Sequence, residues 1–276
     1  MFLTFNKKKY LSLLGTGAVS LAVSAVLQVS DTVIGGNLIG PEAVSAISLI
    51  TSLYAVVMFF SYLVTDGICI RYSEAVGRFD SVRAARIFSE GFYASVFQGA
   101  LLFALTCLCR DAYLSIYGVS ENIQRLSRDY LHFYRYVFAL TPIYEYLSEM
   151  IYTEGDSSAC ILSCGTTLLC NIAVSLLMVK HAGIAGLGIG SLVGMILSIL
   201  LLCTHFFKKN NGLRFVCFFS MLDMIDSAKY SALDASSYLF SALSVIFINS
   251  TVIRTLGEEM LPLAACTRKG YHHYLL

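Results

Sequence analysis

Charge is scarce in this sequence: 13% of its 276 residues are charged and 57% are hydrophobic, where a soluble domain carries about 25% charged residues. Such a chain cannot cover a water-facing surface, which excludes an ordinary soluble fold. With a formal net charge of only +1 there is no basic footprint for nucleic acid and no acidic tail for a cationic partner. None of the nine cysteines stands in a CxxC pair, so the spacing of a zinc site or a disulfide framework is missing. They fall inside apolar runs, as Cys107 with Cys109 and Cys160, Cys164 and Cys170 do, and read as small buried hydrophobes. The HExxH, GxSxG, GxxxxGK[ST] and GxGxxG patterns are absent as well, and the near miss Gly186-Leu187-Gly188-Ile189-Gly190 belongs to an apolar run. Nothing therefore supports an enzyme of those classes.

Long apolar runs are what the sequence has. A bilayer core of about 30 Å takes around 20 residues of helix, because every backbone polar group must be bonded within its own segment. Seven runs qualify, near 11–34, 44–68, 87–108, 131–152, 158–179, 183–207 and 235–253, and the fold class they predict is an all-α membrane protein. Lys7, Lys8 and Lys9 ahead of the first run resemble the start of a signal peptide. The run continues to Ile34, however, and reads better as a first transmembrane helix.

Positively charged loops stay in the cytoplasm. With the N-terminus inside, the inner loops hold eleven Lys and Arg and the outer ones five, which predicts a multi-pass protein of the cell membrane with a cytoplasmic N-terminus. The run Arg71 to Arg86 reads as a solvated inner loop. Asp31 to Glu42 aligns with Asn249 to Glu259 at a spacing of about 218 residues, as though the seventh span opened a second copy of a six-helix unit, and internal repeats are common in secondary transporters. The predicted organisation is a six-helix lobe over 1–207, a cytoplasmic linker over 208–234, a seventh span with the start of an eighth over 235–265, and an atypical polar tail over 266–276. That tail suggests a truncated or frame-shifted product; a fragment or a split subunit would look the same.

A carboxylate within a span costs roughly 2.5–3.5 kcal/mol on insertion scales and needs a partner or water. Asp31 is the foremost candidate, as a proton or sodium acceptor or as a residue solvated near the outer surface. Gln28 precedes it by almost one turn. Asn171 and Ser175 share a face of the fifth span, and Ser191 of the sixth could approach them. His132, Arg135 and Glu149 of the fourth span fall within about 60° of one another at helical pitch; Arg135 and Glu149 are possible cavity-lining residues, as is Asn249 of the seventh span. Gly186, Gly190 and Gly194 form a stripe for close helix approach.

Four stretches taken together resemble the multidrug and toxic compound extrusion (MATE) family. They are Asp31-Thr32-Val33-Ile34-Gly35-Gly36 with Leu38-Ile39-Gly40 and Ala43; Ala75-Val76-Gly77-Arg78-Phe79-Asp80; Gly155-Asp156 with Asn171-Ile172; and Gly183-Ile184-Ala185-Gly186. The resemblance implies an exporter of twelve helices in two six-helix lobes, here the N-terminal lobe plus the first helix of a second, incomplete one. Drug-like small organic substrates, often cations, would leave in exchange for Na+ or H+, with no cofactor and no metal beyond a possible Na+ near Asp31. It implies that Asp31 is the first-helix coupling carboxylate, that Asn171 is the asparagine of an Asn-Ile-x-x-Asp run and that Ser191 stands near a hydroxyl position. Here the aspartate of that run is Ser175. It also implies that transport needs the missing second lobe, helices eight to twelve. A lipid-linked oligosaccharide or polysaccharide flippase of the same superfamily, with Arg135 as its one mid-span cation, and a non-transporting membrane fragment or scaffold are the alternatives.

Overall fold

A computed structural model describes residues 2–209 and 211–271; the side chains of 2–14, 16, 20, 21, 24, 28 and 268–271 fall outside the description. Eight α-helices follow one another: α1 (Phe2–Leu38), α2 (Pro41–Gly77), α3 (Ser81–Ser115), α4 (Glu121–Thr153), α5 (Ser157–Ala182), α6 (Ala185–Cys203), α7 (Met221–Leu256) and α8 (Leu261–Tyr271). No strand occurs among the described residues. Six of the seven apolar runs lie within one of the first seven helices, and the sixth begins in the turn at 183–184 and runs through α6 and a 3-10 turn at Thr204–Phe207. At 1.5 Å per residue the 37 residues of α2 and the 35 of α3 reach about 50 Å, well beyond a core of about 30 Å.

Among the described residues five helices, α2, α3, α5, α6 with its 3-10 extension and α7, are long and apolar enough to cross a membrane. Helix α4 is more polar, with His132, Arg135, Glu145 and Glu149 along its middle. It is nonetheless central to the bundle and packs on α2, α3 and α6, burying Tyr130, Leu131, Val137, Phe138, Tyr146, Leu147 and Met150. One core cluster joins Ile34, Ile47, Ile50, Leu131, Phe138 and Leu187; another, toward the opposite end, joins Ile68, Tyr72, Phe88, Tyr146, Met150 and Leu202. Hydroxyls buried in α2 bond back to their own helix, Ser52 to the Leu49 carbonyl at 2.7 Å and Ser61 to Val57 at 2.9 Å, and Ser52 also meets the Tyr113 hydroxyl of α3 at 2.6 Å.

Helices α5 and α6 meet at the predicted glycine stripe. A methyl group at Gly186 would lie 2.6 Å from the Val179 nitrogen and one at Gly194 2.8 Å from the Thr167 carbonyl, so the two backbones are in contact as in small-residue membrane interfaces. Helix α7 packs along α2 and α8 also rests on α2.

Three connections differ from their sequence reading. The link over Arg71 to Arg86 is not a loop: α2 runs to Gly77, Asp80 caps α3 by accepting the Arg83 amide at 2.9 Å, and only residues 78–80 turn. The Arg71 side chain is only 11% exposed and is tied to the Asp223 carboxylate at 3.1 Å. The linker 208–234 is partly helical, since α7 starts at Met221, capped by Ser220. Polar residues at helical spacing continue the helix outside the lipid without an apolar signature. Its remainder docks on the lobe: Phe215 packs on Phe88, Phe92 and Phe206 with ring centroids 4.9–5.4 Å apart, and the Gly212 amide donates to Glu154 at 2.9 Å. Of the polar tail, 266–271 belongs to α8 and 272–276 lies outside the described residues.

Candidate cation-coupling site

Asp31 stands two turns before the end of α1, 6% exposed. Its Oδ2 accepts two hydroxyl hydrogen bonds, from Tyr130 of α4 at 2.8 Å and from Ser191 of α6 at 3.1 Å. Asn171 of α5 donates from Nδ2 to the Ser191 oxygen at 2.7 Å, and its Oδ1 accepts from Ser30 of α1 at 3.2 Å. Four helices thus hold one carboxyl group through a continuous polar chain within apolar surroundings. Burial makes each of these bonds costly to leave unmade. The chain also orients the donors: Asn171 gives its proton to Ser191, which turns its own toward Asp31.

Of the residues the sequence singled out, Asp31, Asn171 and Ser191 are brought together. Ser175 is fully buried one turn beyond Asn171, with no hydrogen-bond partner for its hydroxyl among the described residues. It faces Gly190, where a methyl group would come within 2.1 Å of its oxygen. The Gln28 side chain lies outside the described residues.

The predicted cavity-lining residues are elsewhere. Asn249 is completely buried and donates to the Ser48 carbonyl at 3.3 Å while its Oδ1 accepts from the Ser48 hydroxyl at 3.4 Å. A side chain sealed between α2 and α7 packs helices together. Arg135 lines a small cavity between α3 and α4 with His132, on another side of α4 from Tyr130. Glu149 is half-buried and nineteen residues from Tyr130 along α4, about 28 Å at helical rise, far from Asp31. Near it Glu145 accepts from Tyr62 at 3.0 Å, and Tyr62 stacks on Tyr238 of α7 at 4.8 Å.

Tyr130 is the site residue that sequence reading missed. Its signal was the row Tyr130, Tyr134 and Phe138 at four-residue spacing, which forms one face of α4: the rings of Tyr130 and Tyr134 lie 4.7 Å apart and those of Tyr134 and Phe138 5.2 Å.

A buried carboxyl that accepts two hydroxyl bonds can exchange a proton, one hydroxyl turning to accept from it when it is neutral while the other still donates. The Asp31, Tyr130 and Ser191 oxygens come together here, while Asn171 turns its amide nitrogen toward Ser191 and its carbonyl toward Ser30.

The family model described as MatE matches residues 17–177, a stretch containing Asp31, Tyr130 and Asn171. The chain belongs to the MatE family. Curated relatives of this MatE chain include the probable multidrug resistance protein YoeA of Bacillus subtilis (strain 168), 22% identical over 207 residues, which cover 71% of this chain and 45% of YoeA. Another is the multidrug export protein MepA of Staphylococcus haemolyticus (strain JCSC1435), 24% identical over 185 residues, 65% of this chain and 40% of MepA. The chain thus spans less than half the length of these relatives. Among solved structures, the MATE multidrug transporter DinF-BH superposes with a TM-score of 0.87 at 16% identity, over 95% of this chain and 60% of that one. The inward-facing conformation of a multidrug resistance MATE family transporter superposes with a TM-score of 0.81 at 17% identity, over 90% of this chain and 59% of the other. The MatE fold is therefore a multi-pass helical membrane fold.

Proposed function

We propose that this chain is the N-terminal lobe and the beginning of the second lobe of an exporter that moves small organic compounds, often cations, across the cytoplasmic membrane in exchange for H+ or Na+. The observation that carries this reading is the Asp31 carboxyl, enclosed by α1, α4, α5 and α6 and bonded by Tyr130 and Ser191. A proton or Na+ arriving there changes its charge, and with it the preferred orientation of two hydroxyls and an amide on three other helices. Alternating access then requires this lobe to move against a second one, so transport needs helices eight to twelve as further chain or as a separate polypeptide. The inner loops are cytoplasmic in this reading, which follows the Lys and Arg distribution.

The test is dye export by proteoliposomes holding the chain together with a second-lobe polypeptide, under an imposed proton or sodium gradient. Asp31→Asn keeps an acceptor for both hydroxyls and is expected to fold while losing gradient-driven export; unaltered export would remove Asp31 from the mechanism. Dependence on one gradient alone identifies the ion. The Arg135 guanidinium, on which a flippase reading rests, lies in the α3–α4 cavity away from Asp31 and lends that reading no support.

A further inference from the structure

Where α3 ends and α4 begins, a cavity of about 70 Å³ lies between them, lined by Thr106, Cys107, Arg110, Leu131, His132 and Arg135. Arg135 belongs to the middle of α4, where a guanidinium costs roughly 2.5–3.5 kcal/mol to insert. Helical side chains lean toward the N-terminal end of their helix, so it is directed toward the level of Arg110 and the bilayer surface. Its guanidinium lies 5.5 Å over the Phe103 ring and 5.1 Å over Tyr136. Its polar contacts are long, 3.6 Å to the Cys107 sulfur and 3.4 Å to the Tyr136 hydroxyl, and its buried Nε has no hydrogen-bond partner among the described residues.

The other cations of this corner share a single counter-charge. Asp111 pairs with Arg110 at 3.1 Å and with Arg128 at 2.9 Å. No other carboxylate comes within 4.0 Å of Arg110, Arg128, His132 or Arg135 among the described residues. Arg110 and Arg128 share the Asp111 carboxylate, while Arg135 has no carboxylate within 4.0 Å among the described residues, and its desolvated donor calls for an anion. At about 70 Å³ the cavity fits a phosphate group and is far too small for a drug-sized ligand, which needs about 300 Å³ or more. On the same face of α3 as the cavity stand Val96, Ala100, Phe103 and Cys107, of which Val96, Ala100 and Cys107 are exposed, a strip that in a membrane faces acyl chains.

We propose that this cavity binds the phosphodiester of an anionic phospholipid in the leaflet at which α3 ends, its acyl chains lying along the Val96 to Cys107 face. The phosphate bonds Arg135 and Arg110. A zwitterionic headgroup brings its own cation to the same corner and binds more weakly. The proposal does not depend on the transport reading.

The experiment places the purified full chain in nanodiscs of phosphatidylcholine with and without phosphatidylglycerol, and reads retained lipid by native mass spectrometry alongside melting temperature. The wild-type chain is expected to retain phosphatidylglycerol selectively and to melt higher in its presence. Retention falls about tenfold in Arg135→Gln and about fivefold in Arg110→Gln. Arg125→Gln, which changes net charge equally but hydrogen-bonds only Asn122, at 3.1 Å, among the described residues, leaves it unchanged. Equal loss in Arg125→Gln, or no preference for phosphatidylglycerol in the wild-type chain, overturns the proposal. So does inorganic phosphate raising the melting temperature in pure phosphatidylcholine discs as much as phosphatidylglycerol does, since the ligand is then a free anion. If Arg135→Gln does not fold, the wild-type preference and Arg110→Gln decide the matter alone.

Discussion

Gly67 is where α7 comes closest to α2. A methyl group built there lies 1.9 Å from the Ser227 carbonyl oxygen, 2.6 Å from its carbon and 2.8 Å from the Ser231 hydroxyl. Carbon and oxygen in comfortable contact stand about 3.3–3.6 Å apart, so Gly67→Ala requires a displacement of roughly 1.5 Å. The obstacle is helix backbone, which yields only by moving α7 as a body. Such a movement loosens the bond from the Gly67 amide to Ser231 at 2.6 Å and those from Arg71, one turn along α2, to the Asp223 carbonyl at 2.6 Å and the Ser227 hydroxyl at 2.8 Å. Overpacking costs about 1–3 kcal/mol and a weakened bond to a charged group about 1.5–3 kcal/mol, so the expected loss is about 3 kcal/mol or more. At about 2–4 °C per kcal/mol for a chain of this class, the melting temperature falls by about 6–12 °C. Gly165→Ala is the matched control, because nothing lies within 4 Å of its added carbon and the helix gains up to about 1 kcal/mol from the propensity difference. Scanning fluorimetry of both variants in one detergent measures the difference. A Gly67→Ala protein that melts with the wild type, or a Gly165→Ala protein that falls equally, refutes the packing argument.

Tyr130→Phe removes the 2.8 Å bond to Asp31 and should lower stability by about 1.5–3 kcal/mol; Ser191→Ala, which deletes the link to Asn171 as well, should cost at least as much, and the same melts check both. Asp156 caps α5 and accepts from His205 at 2.7 Å, from Lys208 and from Ser158; burial pushes its carboxyl upward, yet these bonds outweigh it and hold the group well below the usual carboxylate range. Its folded value being depressed, the stabilisation is complete above the unfolded value of about 3.9 and is lost as pH falls through the folded one; Asp156→Asn should therefore lower the melting temperature at pH 7 and differ less from wild type as the solution is acidified below about pH 4. Asn249→Asp sets a carboxylate oxygen against the Ser48 carbonyl, where Nδ2 now donates at 3.3 Å, and should cost about 2–3 kcal/mol more than Asn249→Ala, measured by the same melts.

The fold was legible where the solvent imposes it. Backbone groups in lipid must bond within their own helix, so each span announces itself as an apolar run, even α4 with its ionisable residues. Asp31, Asn171 and Ser191 were legible for the converse reason: polar side chains inside such runs are costly enough to be conspicuous. Tyr130 was not, because an aromatic hydroxyl is commonplace in composition and only the partner across α1 reveals its use. Outside the lipid the rule lapses. The run from Arg71 to Arg86 looks solvated by charge, yet α2 and α3 continue beyond the hydrocarbon and Arg71 finds Asp223 152 positions along the chain, a pairing that no local pattern encodes.

The two stretches that align at a spacing of about 218 residues can be compared position by position. A glycine of positive φ follows each helix, Gly40 at 132° two residues after α1 and Gly257 at 87° directly after α7, and the next α-helix carries a proline in its first turn, Pro41 or Pro262. Asp31 and Asn249 occupy matching places 218 residues apart. Asn249 offers a donor and an acceptor and uses both on Ser48 of α2, a pairing that a carboxylate cannot make because it has no proton to give. Asp31 meets donors from α4 and α6, a setting in which an amide could be accommodated but could neither gain nor lose charge. The amide thus belongs to the α2–α7 seam, where a neutral contact is needed. The carboxyl belongs inside the lobe, where four helices converge on a group able to change its charge.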